Sequence, residues 1–263
     1  MRILAFSGKK GAGKNTCANF ILGSTMIDVE MVDWFKINEL GQIIVPALVD
    51  DRVVEAVFDP NRRDRDFVNY ISQNLWPYAK LYSFADPLKE FCMSAFGLTE
   101  QQCYGADTDK NSLSKLQWKD MPGFDTHNNP NYDINKQGLM TAREVLQYFG
   151  TEIVRKMNFD AWAEACIKKI QYEQSDFALI TDCRFPNEVR SVQEAGGKVI
   201  RLTRSPFNDN HMSETALDNY VGFDHIIDNK NLNIEQTNKA LYEVLRKWDW
   251  IRQIDDNTIN VKT

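Results

Sequence analysis

The spacing of apolar and polar positions changes several times along the chain. Residues 2–7 (RILAFS) are a short apolar run leading straight into glycines, which predicts a buried strand. From Lys14 the spacing turns helical, with Cys17, Ala18, Ile21 and Leu22 on one face, and Gly23 is expected to end that helix. Within residues 24–79, Met31 to Val57 alternates apolar and polar positions, interrupted at Asp50, Asp51 and Arg52, and a charge run follows at 59–66; the expectation is a solvated insertion with one or two helices. Residues 80–84 read as a second strand. Asp86-Pro87 then opens a helix, with Asp86 expected as N-cap and Pro87 at the first helical position, Leu88, Phe91, Cys92, Ala95 and Phe96 as its apolar face and Gly97 as its stop.

The polar stretch 98–140 predicts a long loop or small lobe. Thr141 with Glu144 makes a capping box for a helix running to Met157, and a second helix is expected over 159–172. Four more apolar segments follow: a continuous strand at 177–181 ending in Asp182, a helix at 186–195, a strand at 198–203 and a strand at 224–228. A helix at 234–248 and a loose tail from 255 complete the chain. Strands alternating with helices predict an α/β fold around a mostly parallel sheet, with helices on both faces. The expected organisation is one domain, with insertions at 24–79 and 97–140 and a polar, lid-like stretch at 204–224.

Composition narrows the class. The chain has 263 residues, 43% hydrophobic and 26% charged, and a net charge of −6. That charge argues against a general nucleic-acid binder, so an anionic ligand would have to be held by a local site. Five cysteines without a C-x-x-C pair argue against a disulfide framework and for a reducing compartment, so the expected location is the cytoplasm. No apolar run approaches the ~18–20 residues that span a membrane, and residues 3–6 are too short for a leader.

The chemistry concentrates at SGKKGAGKNT (7–16). It follows a predicted strand, opens a predicted helix, and matches G-x-x-x-x-G-K-[ST] except for Asn15 in the last position. Gly8, Gly11, Ala12 and Gly13 supply a nest of backbone N–H groups, and Lys14 supplies a full charge for the outer phosphates. Asn15 removes the hydroxyl that usually ligates magnesium. Thr16 then takes over, or the Asn15 amide faces the metal, or water and nucleotide hold it. Asp182, at the end of an apolar strand, is the candidate carboxylate for the metal, and Arg184 two residues on is a planar fork for phosphate.

With these pieces in order, the chain resembles the phage-type deoxynucleoside monophosphate kinases. The matching strings are SGKKGAGKNT, FADPLKEF (84–91), YGADTDK (104–110), TAREVLQYFGTEIVR (141–155), LITDCRFPNEV (179–189), GGKVIRLTR (196–204), HMSE (211–214) and DHIIDN (224–229). The resemblance implies a P-loop kinase fold and transfer of the γ-phosphoryl of ATP, with Mg2+, to a deoxynucleoside monophosphate. It implies catalytic roles for Lys14, Asp182, Arg184 and Arg204, the last as a clamp in lid territory near His211. It also implies acceptor contacts from Lys89, Lys110, Arg143 and Gln147. Trp162 is either a base-stacking residue or part of a core. Base specificity is not legible. Exposed apolar surface on the first insertion would support a homodimer. Two other readings stay open: a dephospho-coenzyme A kinase or similar small-metabolite kinase, and a nucleotide-binding regulator that transfers nothing.

Overall fold

The computed structural model describes residues 1–123, 137–207 and 215–251, which divide into two compact units. The first comprises residues 1–83 and the chain from Ile167 onward; the second is Phe84–Cys166.

The first unit is built on a five-stranded sheet. Its strands are β1 (Arg2–Ser7), β5 (Ala79–Tyr82), β8 (Phe177–Cys183), β9 (Lys198–Leu202) and β10 (His225–Ile227), in spatial order β10-β9-β1-β8-β5. Every pairing is parallel. Residues 3–7 of β1 are all buried, as expected for a central parallel strand covered on both faces. Leu4, Phe6, Leu179, Ile200 and Leu202 share one core cluster with Cys17 and Ile21 of helix α1 (Lys14–Asp28) and with Leu241 and Leu245 of the helix Ile234–Lys247. Helix Pro186–Glu194 packs on β1 and β9. Full burial of a side chain such as Phe6 contributes roughly 1.5–3 kcal/mol. The element order and parallel pairing agree with the sequence expectation.

Two expectations are corrected here. Helix α1 does not stop at Gly23 but runs on to Asp28. Gly23 is inside it because Phe35 lies directly on the helix: a Cβ at 23 would stand 2.3 Å from Phe35 Cδ2. The first insertion is also more ordered than a solvated excursion. It forms an antiparallel sheet, β2 (Lys36–Ile37), β3 (Ile43–Val49) and β4 (Arg52–Phe58), followed by helix Arg65–Asn74. Val49 pairs with Arg52 across the two-residue turn Asp50-Asp51, both at positive φ (47° and 59°). Ile43 and Val45 at the hairpin base join the main core, while Leu48 and Val53 near its tip are 72% and 71% exposed.

The second unit has its own core of Cys92, Leu98, Cys103, Trp118, Met140, Ala142 and Val145. Its helices include Asp86–Phe96, Glu100–Tyr104 and Asp107–Lys110, and its hairpin pairs β6 (Leu113–Gln117) with β7 (Leu139–Thr141). Thr141 caps the next helix as expected, its hydroxyl accepting from Glu144 N–H while Glu144 accepts from Thr141 N–H. That helix changes register. After Ala142–Gln147, residues Tyr148–Val154 are π-helical before Arg155–Met157 returns to α. Gly150 faces Leu88, whose Cδ2 would be 2.6 Å from a Cβ there.

Candidate active site

Strand β1 delivers Ser7 between the C-terminal ends of its two neighbours: it pairs with Cys183 of β8 and Arg201 of β9. Ligands of open α/β sheets bind in the crevice outside such strand ends, at the point where the strand order reverses. The loop from Gly8 to Gly13 begins there. Gly8 has φ +155° and its missing Cβ would lie 2.9 Å from Ala12 Cβ and 3.0 Å from Leu202 O, so the loop closes on β9 only with glycine. Gly13 caps α1 in the left-handed region (φ 102°, ψ 15°), which turns the chain into the helix and leaves the cap to backbone groups.

Lys14 is 9% exposed and folds back into this loop. Its Nζ donates to Gly8 O at 2.6 Å and to Lys9 O at 2.9 Å. Its positive charge and the N-terminus of α1 therefore sit at the same strand ends. Asn15 is exposed. Thr16 faces the first insertion: a Cβ on Gly41 would stand 2.3 Å from Thr16 Oγ1, and Asn19 Nδ2 donates to Gly41 O at 2.8 Å.

Strand β8 reaches further than the apolar run suggests and includes Asp182 and Cys183. Its register with β1 slips between Ala5↔Ile180 and Ser7↔Cys183, giving β8 one extra residue beside Asp182. Such a bulge re-aims the neighbouring side chains. Ser83, just past β5, donates from Oγ to Asp182 Oδ2 at 2.6 Å. The turn after Asp182 is fixed by buried Glu188, whose Oε2 accepts from Arg184 N–H at 2.7 Å and Phe185 N–H at 3.1 Å. Burial, then the nearby Glu188 and Asp182 charges, hold the Cys183 thiol well above its usual pKa. Burial pushes Cys17 up to about 12 against the opposing charge of Arg204. Neither is poised as a nucleophile at neutral pH.

Arg204 follows β9. Its Nε donates to Asn229 O at 3.2 Å and its guanidinium also donates to Leu232 O. Arg201, which sequence patterning did not single out, donates to Ser7 Oγ at 3.0 Å and pairs with Asp218 at 3.3 Å. Asp218 also pairs with Lys9 at 3.2 Å, so the stretch after β9 returns to the loop. His211, Ser213 and Glu214 lie outside the described residues. A charged residue in the apolar strand KVIRL is the one sequence signal that would have drawn attention to Arg201. Asn229, Ser83 and Glu188 carry no such signal.

The remaining candidates belong to the second unit. Lys89 Nζ is 3.9 Å from Asp86 Oδ1 and 4.3 Å from the Tyr104 ring centroid. Arg143 donates to Asp107 Oδ1 at 2.7 Å, which ties it to the short helix that ends at Lys110. Gln147 is exposed at the end of its α-helical turn. Trp162 is half-buried, donating from Nε1 to Gly150 O at 3.1 Å with its ring 6.4 Å from that of Phe149. Phe149 in turn stacks on Phe91, with centroids 4.9 Å apart. Among the described residues no cluster of three or more His, Cys, Asp or Glu side chains suited to a metal ion is found. No helix among them is long and apolar enough to cross a membrane.

A parallel sheet with a glycine-rich loop at the end of its central strand, a lysine folded into that loop and a carboxylate on the adjacent strand are consistent with the P-loop kinase fold. Residues 117–240 match the family of deoxynucleotide monophosphate kinases. The chain is also similar to a protein of Acanthamoeba polyphaga mimivirus described as "Putative deoxynucleotide monophosphate kinase": 28% identical over 171 residues, spanning 59% of this chain and 76% of that protein. Together these matches support a kinase of the deoxynucleotide monophosphate type, the family reached from the sequence strings. The family match begins after the glycine loop at residues 8–13, so that loop lies outside it.

Proposed function

We propose that the protein transfers the γ-phosphoryl group of ATP to a deoxynucleoside monophosphate, giving the diphosphate. The observation that carries this is Lys14 folded inside a glycine loop beside Asp182 on the adjacent strand end. In phosphoryl transfer the protein has little covalent chemistry to perform; it aligns two anions and neutralises charge. Gly8, Gly11, Ala12, Gly13, Asn15 and Thr16 form the phosphate cradle with Lys14. On binding, Lys14 exchanges the carbonyls of Gly8 and Lys9 for phosphate oxygens. Arg184 clamps phosphate from its rigid turn.

Hard oxygen donors suit magnesium, and Asp182, oriented by Ser83, is such a donor. Asp182 would hold Mg2+ with water completing the shell, while the Thr16 side chain, against Gly41, fits better as the seat of the hairpin and Thr16 serves the cradle through its backbone N–H. When bound, the ion supplies charge neutralisation on the phosphate oxygens. In the second unit, Lys89, Lys110, Arg143 and Gln147 are the acceptor-side candidates, with Trp162 held for stacking by Gly150. The five cysteines, all buried and free, fit a cytoplasmic setting. A homodimer belongs to the same reading, since apolar side chains lie exposed along the outer strand β4 and its partner β3. Leu48→Lys with Val53→Lys should then yield monomers in sedimentation, and a monomeric unsubstituted protein would refute it.

The test is ADP release from ATP and Mg2+ against the four common deoxynucleoside monophosphates, the ribonucleotides and dephospho-coenzyme A. Release that depends on one or several deoxynucleotides supports the proposal and reveals the base preference. Release with dephospho-coenzyme A alone, or with no acceptor, would sink it.

A further inference from the structure

Asn229 is fully buried, and both ends of its side-chain amide are used. Its Nδ2 donates to Ala12 O, in the phosphate loop, at 2.8 Å, and its Oδ1 accepts from Arg204 N–H at 2.9 Å. Chemistry fixes the amide's orientation, because one partner is a carbonyl and the other an N–H. We infer that Asn229 is a positioning residue for the phosphate loop and that Arg204 acts through it; this rests on the reading of that loop as a nucleotide site.

The physical link is the planarity of the Ala12–Gly13 peptide. In a trans peptide the carbonyl and the following N–H point to opposite sides. Holding the Ala12 carbonyl on Asn229, away from the cradle, turns the Gly13 N–H towards it. Gly13 does not enforce that orientation itself, because glycine tolerates either sign of φ. The external hydrogen bond therefore selects the peptide orientation that favours a phosphate oxygen. Arg204 grips Asn229 at two points, its N–H donating to the side-chain oxygen and Nε to the Asn229 carbonyl, and its guanidinium also donates to Leu232 O three residues further on. Beyond Ser205, Pro206 and Phe207 lie over Gly11, with atoms 2.7 Å and 3.0 Å from where a Cβ would be. The segment leaving β9 is thus joined to the loop both through Asn229 and by direct packing.

The experiment compares the full chain with Asn229→Asp, which keeps the acceptor, loses the donor and sets a carboxylate against the Ala12 carbonyl. Calorimetric titration with ATP should show binding weaker by about tenfold or more. The KM for ATP should rise by a similar factor while the KM for the deoxynucleotide stays within about twofold. Arg204→Gln preserves the backbone N–H and should shift ATP binding the same way by roughly three- to tenfold, which protects the test if N229D does not fold. A folded N229D or R204Q protein that binds ATP within about twofold of the unsubstituted chain would overturn the inference, as would equal rises in both KM values. An unsubstituted protein that binds ATP yet phosphorylates no deoxynucleotide would defeat the proposed acceptor and leave the comparison of ATP affinities decisive.

Discussion

Ser83 Oγ donates a 2.6 Å hydrogen bond to Asp182 Oδ2, tying the chain just beyond β5 to the C-terminal end of strand β8. The bond orients a carboxylate beside the phosphate loop and makes the two side chains separable in an experiment. Asp182→Asn removes the charge that would hold magnesium, and turnover should fall about 100-fold or more while the melting temperature barely moves. Ser83→Ala leaves the charge and removes its orientation, so the loss should be milder, about three- to tenfold. Steady-state kinetics with a thermal melt on each variant checks this. A large loss of stability with unchanged turnover in D182N would instead make Asp182 a structural residue.

Lys14 offers the second prediction. Its ammonium is held by Gly8 O and Lys9 O inside the loop. Lys14→Ala should abolish phosphoryl transfer and leave the protein folded, because water can replace the ammonium at carbonyls on the loop. Circular dichroism and the ADP assay together decide it; retained turnover would remove the loop from the mechanism.

The legible parts of this chain were those fixed by local chemistry. The strand–loop–helix at the start follows from an apolar run, three glycines and Lys14 within residues 2–14. The Thr141–Glu144 box announced its helix in the same way, and Asp86-Pro87 marked the other to within one residue: Ala85 is its N-cap, and Asp86 and Pro87 are its first two helical residues. What escaped was set by partners distant in sequence. Gly23 is a stop signal locally, and only Phe35 lying on it makes it a helix interior. Residues 43–58 alternate as strands do, but their turn is Asp50-Asp51, without the glycine that usually marks a tight hairpin. Asn229 meets Ala12, and Arg201 meets Ser7, across most of the chain, so no local spacing carries either pairing.

Gly23 gives a prediction about stability alone. Gly23→Ala should cost about 1–3 kcal/mol through overpacking against Phe35, despite alanine's better helix propensity. That corresponds to a fall of roughly 2–4 °C in Tm for each kcal/mol. Turnover at low temperature should be unchanged. A raised Tm would mean that Phe35 yields without cost.

The buried thiols predict an alkaline limit. Burial raises Cys17 to about 12, and burial together with Cys103 raises Cys92 to about 12, against an ordinary value of 9.0. A thiol whose folded pKa is raised contributes stability that is fully present below its unfolded pKa. The unfolded chain ionises first, so that contribution is lost as the pH climbs from the unfolded value towards the folded one. Urea midpoints should therefore hold near neutrality and fall between about pH 9 and 12. Cys17→Ala removes one such group and should flatten the decline while lowering stability slightly at pH 7, since a buried sulfur is lost. A C17A profile parallel to that of the unsubstituted protein would show that Cys17 ionises no differently in the folded and unfolded chains.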